Sequence, residues 1–454
     1  MKIGNIMNKK LLVVALFFLI AVNTVIAKAV VYDTEGVNLK SFFAARNCKY
    51  ILNYSHIFNN EIVIPENCEI EFQKGALKGP IKFNNTKLSG NVRLQGAVIS
   101  GSLFNKVFYA KWMCFADGIH DDADNINQIL NVSDKVIFTN GCYRLTSLHT
   151  PSKEFDSKLW KYPFHIGINK SNVFFKGKGD NVIFLTNEIA GIICIYSLPN
   201  SRKNTVNNIR IENIIFKTNN DGINFNEFLH SIKTIGVKRL VVKGCSFLDF
   251  WGDAICLSTY GDTRLTGERT RNSRVKIVNN LIIGNTYYNT GCGISVVNGK
   301  NILIDKNTIS RVSRKHMPGA IDVEANNEAY TIDNIKIVNN IIFDCQGTGG
   351  GIVVNANQNG APAHNIVIKK NRISRCSNGL AFVVRSDNTS SNYRVIGNTI
   401  DSSTNPFLFI GESKTSNWVF KDNTFKQTTI QIPGNISVRN LIIKDNKYIN
   451  KERE

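Results

Sequence analysis

One short phrase recurs along the chain from residue 240 onward: alternating apolar residues, two mostly polar residues, a fixed slot, and another apolar residue two positions later. The slot holds a cysteine in the first copy and asparagine in the next seven: Cys245, Asn280, Asn307, Asn340, Asn371, Asn398, Asn423 and Asn446. Successive slots are 23 to 35 residues apart. A period in this range is typical of a solenoid, in which each coil packs only on its neighbours.

The apolar residues on both sides of the slot alternate with the period of a β-strand. Asparagine suits a corner between two strands because it tolerates a left-handed backbone, and its amide can bond to the same amide one coil above. The sequence therefore predicts an all-β parallel β-helix with an asparagine ladder. Because a solenoid grows by adding coils, 454 residues require no second globular domain.

The first residues have the form of a secretory signal. Met7 to Lys10 is basic, Leu11 to Val22 is a twelve-residue apolar run, and small residues at Ala27 and Ala29 supply a cleavage site. The run is too short to span a bilayer. We expect residues 1–27 to be a signal peptide and the protein to be exported to the periplasm, the cell surface or the medium, without a transmembrane span.

The chain is strongly basic. Its formal charge is +20, and removing the three lysines of residues 1–27, which hold no acid, leaves +17. Such a charge attracts anionic partners over long range. Acidic polysaccharide, nucleic acid and an anionic cell surface all fit, as does a simple solvated lysine coat; for an exported protein we expect a polysaccharide and no nucleic acid. The sequence leaves the oligomeric state open.

The ten cysteines are scattered about one per coil, without the clustering of small disulfide-stapled domains or the spacing of a zinc site. Cys345 and Cys376 each follow their ladder asparagine by five residues, so they should stack in neighbouring coils about 4.8 Å apart. A disulfide there is one alternative, and two small buried apolar side chains are the other.

The stretch before the regular coils predicts a helix at about 121–131. Asp121 or Asp122 can cap its N-terminus, and the apolar residues from Ala123 to Leu130 form a single stripe. A helix at this place is positioned to cover the strand edge that a solenoid exposes at its end.

This stretch resembles the cap region of the pectate-lyase-like superfamily, which commonly reads Asp-Gly-x-x-Asp-Asp followed by isoleucine and a helix. Asp117, Gly118, Asp121, Asp122 and Ile126 match it, and residues 136–144 are similar to the strand and turn that usually follow. Residues 61–75 also resemble the leader of β-helix proteins common in gut Bacteroides. The resemblance implies a right-handed β-helix at 116–450 with a capping helix, preceded by irregular β coils at 28–115.

Each regular coil carries a second strand after the ladder slot. In these strands one set of alternate residues, such as Ile321 and Val323, is apolar and stacks inward, so the other set must face outward. The outward set, with its continuation along the same line, is Ser258, Ser295, Asp322, Glu324, Asn355, Tyr260, Asn326, Asn357 and Arg385.

Asp322 and Glu324 are the candidate catalytic residues. They are two residues apart on one strand, so the backbone ends of their side chains are about 6.6–7 Å apart. They are consistent with an acid and a base of an inverting glycoside hydrolase, which needs about 6.5–9.5 Å, with ligands of Ca²⁺, which prefers oxygen, or with ordinary surface acids. Within the superfamily, chondroitinase-B-like lyases use acidic residues with a similar spacing, whereas the motif set of polygalacturonases is absent from the coils.

Two basic loops should flank this face. In the loop before Asp322, a cation such as Arg314 can hold a uronate, and Lys315 or His316 can act as the base in β-elimination. The other loop, which follows Ser258, contributes further substrate-binding candidates together with the outward residues: Arg264, Arg269, Arg271, Tyr260, Asn355 and Arg385. Asp249 and Asp253, on either side of Trp251, form a second acidic candidate, although Gly252-Asp253 also suits a turn.

Taken together, these features predict an exported right-handed parallel β-helix that acts on an acidic polysaccharide by β-elimination or hydrolysis, with Ca²⁺ as a possible cofactor. The alternative is a carbohydrate-binding or surface-adhesion solenoid without catalytic activity.

Overall fold

The computed structural model describes residues 28–150, 162–197, 206–219, 226–258, 271–285, 289–312, 314, 319–325, 330, 332–347, 349–356, 362–384, 390–401, 403, 405–410, 414–426 and 437–449. Their contacts divide the chain into two compact units, one ending at Asn105 and one beginning at Lys106. The expected signal peptide lies outside the described residues. Among the helices that are described, none is long and apolar enough to cross a membrane.

The first unit is a small β structure with one short helix, α1 (Leu39–Phe42). Asn38 caps the N-terminus of this helix, and its side chain accepts hydrogen bonds from two backbone N–H groups. Its strands all pair in parallel. They are β1 (Val30–Tyr32), β2 (Lys49–Leu52), β3 (Ser55–Ile57), β4 (Ile62–Val63), β5 (Glu69–Phe72), β6 (Ala76–Lys78), β7 (Pro80–Gly90) and β8 (Val98–Leu103). The alternating burial of β5 and β7 places one face of each strand in the unit's own core.

The second unit begins with β9 (Phe108–Tyr109), a 3₁₀ turn (Ala110–Trp112), β10 (Asp117–Asp121) and helix α2 (Ala123–Val132). The predicted apolar stripe of α2 is buried. At its N-terminus Asp121 accepts from the Ala123 N–H, whereas the Asp122 carboxylate instead accepts from the N–H groups of residues 115 and 116. Asn127 bonds to the backbone of residues 164–168 through the His165 carbonyl (2.7 Å) and the Gly167 N–H (3.0 Å). The helix therefore covers the first strand edge of the nine-stranded sheet, as the sequence predicts.

Within the described residues the largest sheet has 22 strands, and most of them form two rows that alternate along the chain, one before and one after each ladder slot. The strands after α2 are β11 (Lys135–Arg144), β13 (Phe174–Thr186), β15 (Asn207–Glu212), β16 (Ile215–Thr218), β18 (Lys238–Lys243), β19 (Ser246–Leu248), β21 (Asn272–Val278), β22 (Leu281–Ile283), β24 (Gly299–Asp305), β25 (Thr308–Ser310), β27 (Ile332–Val338), β28 (Ile341–Phe343), β30 (Ala363–Lys369), β31 (Arg372–Ser374), β33 (Ser391–Ile396), β34 (Thr399–Asp401), β36 (Lys414–Lys421), β37 (Thr424–Lys426), β38 (Ser437–Lys444) and β39 (Lys447–Ile449).

The third side of each coil contributes to a nine-stranded sheet, which carries the predicted second strands. Its members are β12 (Phe164–Ile168), β14 (Gly191–Tyr196), β17 (Ile232–Ile235), β20 (Ile255–Ser258), β23 (Ile294–Val296), β26 (Ile321–Glu324), β29 (Ile352–Ala356), β32 (Asn378–Val384) and β35 (Asn405–Ile410). Their inward residues, such as Ile255, Ile294 and Ile321, are fully buried. The core therefore runs inside the stack of coils, and the architecture is the predicted parallel β-helix.

The asparagine ladder is present. Asn340 donates its backbone N–H and its Nδ2 to Oδ1 of Asn371, both at 2.9 Å, and a second Nδ2 proton to the carbonyl of Ile304 at 3.0 Å. Its own Oδ1 accepts the same pair of bonds from Asn307. The pattern repeats from Asn280 to Asn446. The ladder amides from Asn307 to Asn423 are thus saturated.

The expected left-handed backbone does not lie at the ladder asparagine but one residue before it. The positive φ belongs to residues such as Lys306, Asn339 and Lys370, at 54° to 56°. The ladder position therefore selects asparagine for its four side-chain amide hydrogen bonds alone. A second asparagine stack at another corner, which the sequence reading missed, does combine both properties: Asn334 has φ 54° and donates to Asn301 at 2.6 Å on the exposed surface.

All ten cysteines are free thiols. Cys345 and Cys376 occupy equivalent positions in neighbouring coils, because Phe343 pairs with Ser374 two residues earlier, and their thiols are hydrogen-bonded to each other. Both are buried, and burial raises the pKa of the Cys345 thiol. The stacking follows the prediction, and here the two residues act as small buried side chains.

Asn340→Leu tests the ladder. The change removes the acceptor of two buried donors on Asn307, one of the two donors to Asn371 Oδ1, and the side-chain donor to the Ile304 carbonyl. At about 1–3 kcal/mol for each unpaired group, it should lower the free energy of unfolding by several kcal/mol in urea titrations. Asn339→Lys is the matched control, since Lys306 and Lys370 occupy that position naturally; it should leave the free energy of unfolding nearly unchanged. Equal stability of Asn340→Leu and wild type would contradict a structural ladder.

Candidate functional site

Parallel pairing in the nine-stranded sheet lines up equivalent outward residues of successive coils. One outward row contains Lys233, Cys256, Ser295, Asp322 and Val353, each paired with the next. The residues of this row face away from the coil interior, yet Cys256, Ser295 and Asp322 are only 3%, 4% and 5% exposed. Polar groups at such burial need partners, so their partners define the site.

Asp253 joins this row from the segment just before β20. One oxygen, Oδ1, accepts the Cys292 N–H at 2.7 Å, and the carboxylate also hydrogen-bonds with the Ser295 hydroxyl and the Cys256 thiol. Burial raises the pKa of Asp253 to about 6 despite these hydrogen bonds, which lower it. Asp253 therefore changes its charge near neutral pH, where an unperturbed aspartate would already be ionised.

His230 packs against Asp253 but does not form an ion pair with it. The backbone N–H of Asp253 donates to Nδ1 of His230 at 3.0 Å, which requires an unprotonated Nδ1 and a neutral ring. Burial and the Lys233 charge lower the pKa of His230 well below its usual range. Although His230, Asp253 and Cys256 bring possible metal-ligand atoms within 4.8 Å of one another, the Nδ1 lone pair is already in use, so we describe the three as a hydrogen-bonded network.

Asp322 is the central carboxyl group. It hydrogen-bonds to the Glu324 carboxyl, which requires a proton between the two groups. Burial, followed by the charges of Glu324 and Asp253, raises the pKa of Asp322 well above its usual range. The Asp322 Oδ1 atom is buried and has no hydrogen-bond partner among the described residues. Asp322 therefore holds a proton and one uncommitted oxygen at neutral pH.

Asn355 completes the cluster from the next coil, where it pairs with Glu324. Its Nδ2 donates to Oε1 of Glu324 at 2.6 Å, and its Oδ1 is buried without a partner in the described part of the chain. We place the shared proton on Asp322, because burial raises the pKa of that carboxyl group well above its usual range. Asp322, Glu324 and Asn355 also supply three of the six to eight oxygens that Ca²⁺ takes, so they fit part of a calcium site.

The comparisons with known proteins agree with this architecture. Residues 230–400, which contain the whole cluster, match the family described as the right-handed beta helix region. This protein is a right-handed parallel β-helix. No curated protein matches the sequence, and the leader resemblance at residues 61–75 stays a prediction.

Solved structures similar to this β-helix differ widely in their described activities. One is the surface adhesin PfbA of Streptococcus pneumoniae, at 16% identity and TM-score 0.49, covering 76% of this chain and 92% of that one. The A-module of a mannuronan C-5 epimerase of Azotobacter vinelandii has 15% identity and TM-score 0.42, covering 76% and 100%. An exopolygalacturonase of Thermotoga maritima has 11% identity and TM-score 0.43, covering 87% and 84%. Likenesses this distant assign no activity.

Two interpretations of the carboxylate pair need correction. Asp322 is not a surface acid, because it is 5% exposed. The Asp322 and Glu324 carboxyl groups also do not stand at the separation of an inverting acid and base: side chains two apart on one strand lean together when a shared proton bonds them. Only the backbone ends of the two side chains keep the predicted spacing.

Only some of the predicted substrate-binding and basic residues lie among the described residues. Six of the candidate residues lie outside the described residues: Tyr260, Arg264, Arg269, Lys315, His316 and Arg385. The backbone of Arg314 bridges to Gly347 in the next coil. Arg271 precedes Asn272, whose amide donates to the Ser258 carbonyl at 2.7 Å, so this end of the loop returns beside the outward face.

The sequence analysis treated Asp253 as a second acidic candidate separate from Asp322, and it did not identify the residues around Asp253. The structure brings Asp253 into the same cluster, whereas Asp249 is a turn residue with φ 56° at the end of β19. His230, Lys233 and Cys256 were not singled out. Extending the alignment of second strands back to residues 230–235 would have placed Lys233 in the row of Asp322, but no sequence pattern reveals the turn that directs Asp253 into it.

The raised pKa of Asp253 predicts a specific pH dependence of stability. Because its folded pKa exceeds the usual value, the stabilisation is present below about pH 4 and is lost as pH rises through about 6. The wild type should lose stability on the order of 3 kcal/mol between pH 4 and 7, and Asp253→Asn should not. The difference in free energy of unfolding, variant minus wild type, should therefore rise by that amount from pH 4 to 7.

Asp333→Asn is the control with the opposite sign. Hydrogen bonds from Asn365 and Lys300 outweigh the effect of burial and lower the pKa of Asp333, so this variant should lose stability above pH 4. A flat difference curve for Asp253→Asn would contradict a buried, ionising Asp253.

Proposed function

We propose that this β-helix hydrolyses an acidic polysaccharide by general acid–base catalysis at the Asp253–Asp322–Glu324 cluster. The observation that carries the proposal is a pair of buried carboxyl groups with different protonation behaviour on one outward row. Asp322 keeps its proton, while Asp253 ionises above about pH 6. Two carboxyl groups whose environments separate their pKa values are the usual basis for assigning an acid and a base.

In this mechanism Asp322 is the general acid. Its proton, held against Glu324, passes to the glycosidic oxygen of the bond that breaks, and the leaving sugar departs as an alcohol. Donation leaves both Asp322 and Glu324 as carboxylates, and the proton that the pair shares is restored from solvent after the sugar leaves. Asn355 keeps Glu324 oriented through the bond to Oε1.

Asp253 is the general base, which removes a proton from the attacking water. Glu324 cannot take this role because it is in direct contact with Asp322, while an inverting hydrolase needs about 6.5–9.5 Å between the two carboxyl groups. Asp253 belongs to a different coil, and the Ser295 side chain to which it bonds stands between it and Asp322 in the row. Hydrolysis with inversion is therefore the expected stereochemistry.

Elimination is less well supported by the described residues. A lyase needs a base for the proton next to the uronate carboxylate and a cation to neutralise that carboxylate. The described cluster offers three carboxyl groups instead. Lys315 and His316, the bases predicted for elimination, lie outside the described residues. The acidic nature of the substrate is proposed from the net charge of +20.

A panel of acidic polysaccharides tests the reaction class. Incubation with each polymer is followed by the ultraviolet absorbance of unsaturated uronates and by new reducing ends. Reducing ends alone support hydrolysis. A rise in both signals means elimination and contradicts the roles given to Asp253 and Asp322, and neither signal on any bound polymer favours the non-catalytic adhesion alternative.

Asp322→Asn should lower kcat by roughly 10²–10⁴-fold while leaving the unfolding midpoint nearly unchanged, because the amide resembles the protonated acid in shape. Asp305→Asn is the matched control: it lies on β24 of the other sheet and should retain full kcat. An Asp322→Asn variant with wild-type kcat would remove Asp322 from the mechanism.

The pH profile of kcat/KM should fall on the acid side with a midpoint near 6, since Asp253 must be ionised to act as base. Ser295→Ala removes a hydrogen bond that lowers the pKa of Asp253 and should move this limb to higher pH. A limb that stays in place in Ser295→Ala would contradict the assignment of Asp253.

A further inference from the structure

The outer face of the 22-stranded sheet carries an ordered arrangement of charge on the strands that precede the ladder slot. Inward residues of these strands, such as Val242 and Ile277, are fully buried, so the residues between them face outward. In-register pairing stacks these outward residues into two parallel rows. The first row is Val241, Lys276, Leu303, Lys336, Val367, Arg394 and Val419, and the second row is Lys243, Val278, Asp305, Val338, Lys369, Ile396 and Lys421.

The two rows form a checkerboard. In each of the seven coils one position is charged and the other is apolar, and the charge changes rows at every coil. The charge is positive in every coil except the one with Asp305. The last four coils therefore carry an uninterrupted line of cations that alternates between the rows. We call it the cation zigzag, and it consists of Lys336, Lys369, Arg394 and Lys421.

Strand geometry sets the spacing of the zigzag. Coils are about 4.8 Å apart and the two rows about 6.6–7 Å apart, so successive cations are about 8 Å apart and those in one row about 10 Å apart. Lys336, Lys369 and Arg394 are exposed. Within the described part of the chain these three side chains have no hydrogen-bond or ion-pair partner. Their charges are therefore available to a ligand.

The exposed asparagine stack borders the first row, two residues before it on each strand. Asn392 donates one Nδ2 proton to Asn365, and Asn417 donates one to Asn392, both at 3.0 Å. An asparagine amide has two donor protons and two acceptor sites, so the stack keeps hydrogen-bonding capacity toward solvent. Amides beside cations and apolar residues provide contacts for the hydroxyl groups, carboxylates and C–H faces of acidic sugars.

Repulsion between lysines explains only part of this pattern. Two cations in one row of neighbouring coils would be directly opposite each other, which is destabilising, so alternation keeps them apart. A surface shaped for solubility alone mixes both signs of charge. In the four coils of the zigzag neither row contains an acidic residue. The zigzag therefore has the charge distribution of a surface for a linear polyanion.

We propose that the cation zigzag and the adjoining asparagine stack bind an extended, ribbon-shaped polyuronate along the axis of the β-helix. In a β-1,4-linked polyuronate successive rings are turned over, so the carboxylates project from alternate edges of the ribbon. One ring advances the chain by about the spacing of two coils, so each carboxylate meets one cation. The surface lies on a different sheet from Asp322. It is a second, non-catalytic contact that goes beyond the proposed function.

The test measures binding by isothermal titration at physiological salt, with Asp322→Asn as the parent so that no ligand is cleaved. Three ligands of equal length separate charge from shape. They are a β-1,4-linked oligoglucuronate, its α-1,4-linked isomer, which has the same charge but coils, and a cello-oligosaccharide, which is a ribbon without charge. The parent should bind the β-linked acid about fivefold or more tighter than either other ligand.

Removing the zigzag should weaken this binding. A variant with glutamine at all four zigzag positions should bind the β-linked acid about tenfold or more weakly, because four exposed ion pairs are lost. The matched control removes the same charge from four exposed lysines of the first unit, Lys40, Lys74, Lys78 and Lys82. Its effect should stay below about twofold, since salt screens charges beyond about 8 Å.

A charge-neutral exchange tests the alternation itself. Val367→Lys combined with Lys369→Val keeps composition and net charge but moves one cation into the row of Lys336 and Arg394. Only one edge of a ribbon then meets three cations. Binding of the β-linked acid should weaken about threefold or more, while binding of the α-linked isomer should not change. If alternation only relieves repulsion, the exchange will lower the unfolding midpoint without changing binding.

The proposal is overturned if the β-linked acid does not bind, if the parent binds both isomers equally, or if single-stranded DNA of equal charge binds as tightly as the β-linked acid. It is also overturned if the exchange variant binds like the parent or if the control variant loses as much affinity as the zigzag variant. These results are separate from the proposed chemistry. Cleavage by Asp322→Asn would remove the catalytic assignment alone, and unchanged binding by the zigzag variant would remove this surface alone.

Discussion

The saturated ladder amides from Asn307 to Asn423 fix the geometry on which everything else in the second unit depends. Two donors and one acceptor join each coil to the next, as between Asn340 and Asn371. Leaving one of these groups unpaired in the interior costs about 1–3 kcal/mol, and slipping the register would break several at once. The ladder therefore holds successive coils in one register, and the outward rows of the nine-stranded sheet inherit that register.

The carboxyl cluster is costly to fold, because like charges and low polarity both oppose ionisation of Asp322 and Asp253. Hydrogen bonds offset part of this cost. The Cys292 N–H and the Ser295 hydroxyl bond to Asp253, and the Asn355 amide bonds to Glu324. Among the described residues, two buried oxygens of the cluster, Asp322 Oδ1 and Asn355 Oδ1, remain without a hydrogen-bond partner, and one proton is shared between two acids. Strain of this kind concentrates at functional sites.

Sequence alone predicted the periodic part of the structure. The ladder positions, the capping helix and the outward direction of Asp322 and Glu324 all follow from residue spacing, because a solenoid repeats the same local geometry in every coil. Asp253 could not be placed in this way, since a turn that departs from the strand pattern carries it into the row. The protonation of Asp322 also depends on burial and on neighbours from three coils, and no linear pattern encodes either quantity.

The central claim is that Asp322 carries a proton at neutral pH. Infrared difference spectra between the wild-type protein and Asp322→Asn, recorded from pH 4 to 9, report that proton directly through the carbonyl stretch of a protonated carboxylic acid. The account predicts that this band is present at pH 7 and disappears only at higher pH. A spectrum that shows an ionised Asp322 carboxylate already at pH 5 would contradict it.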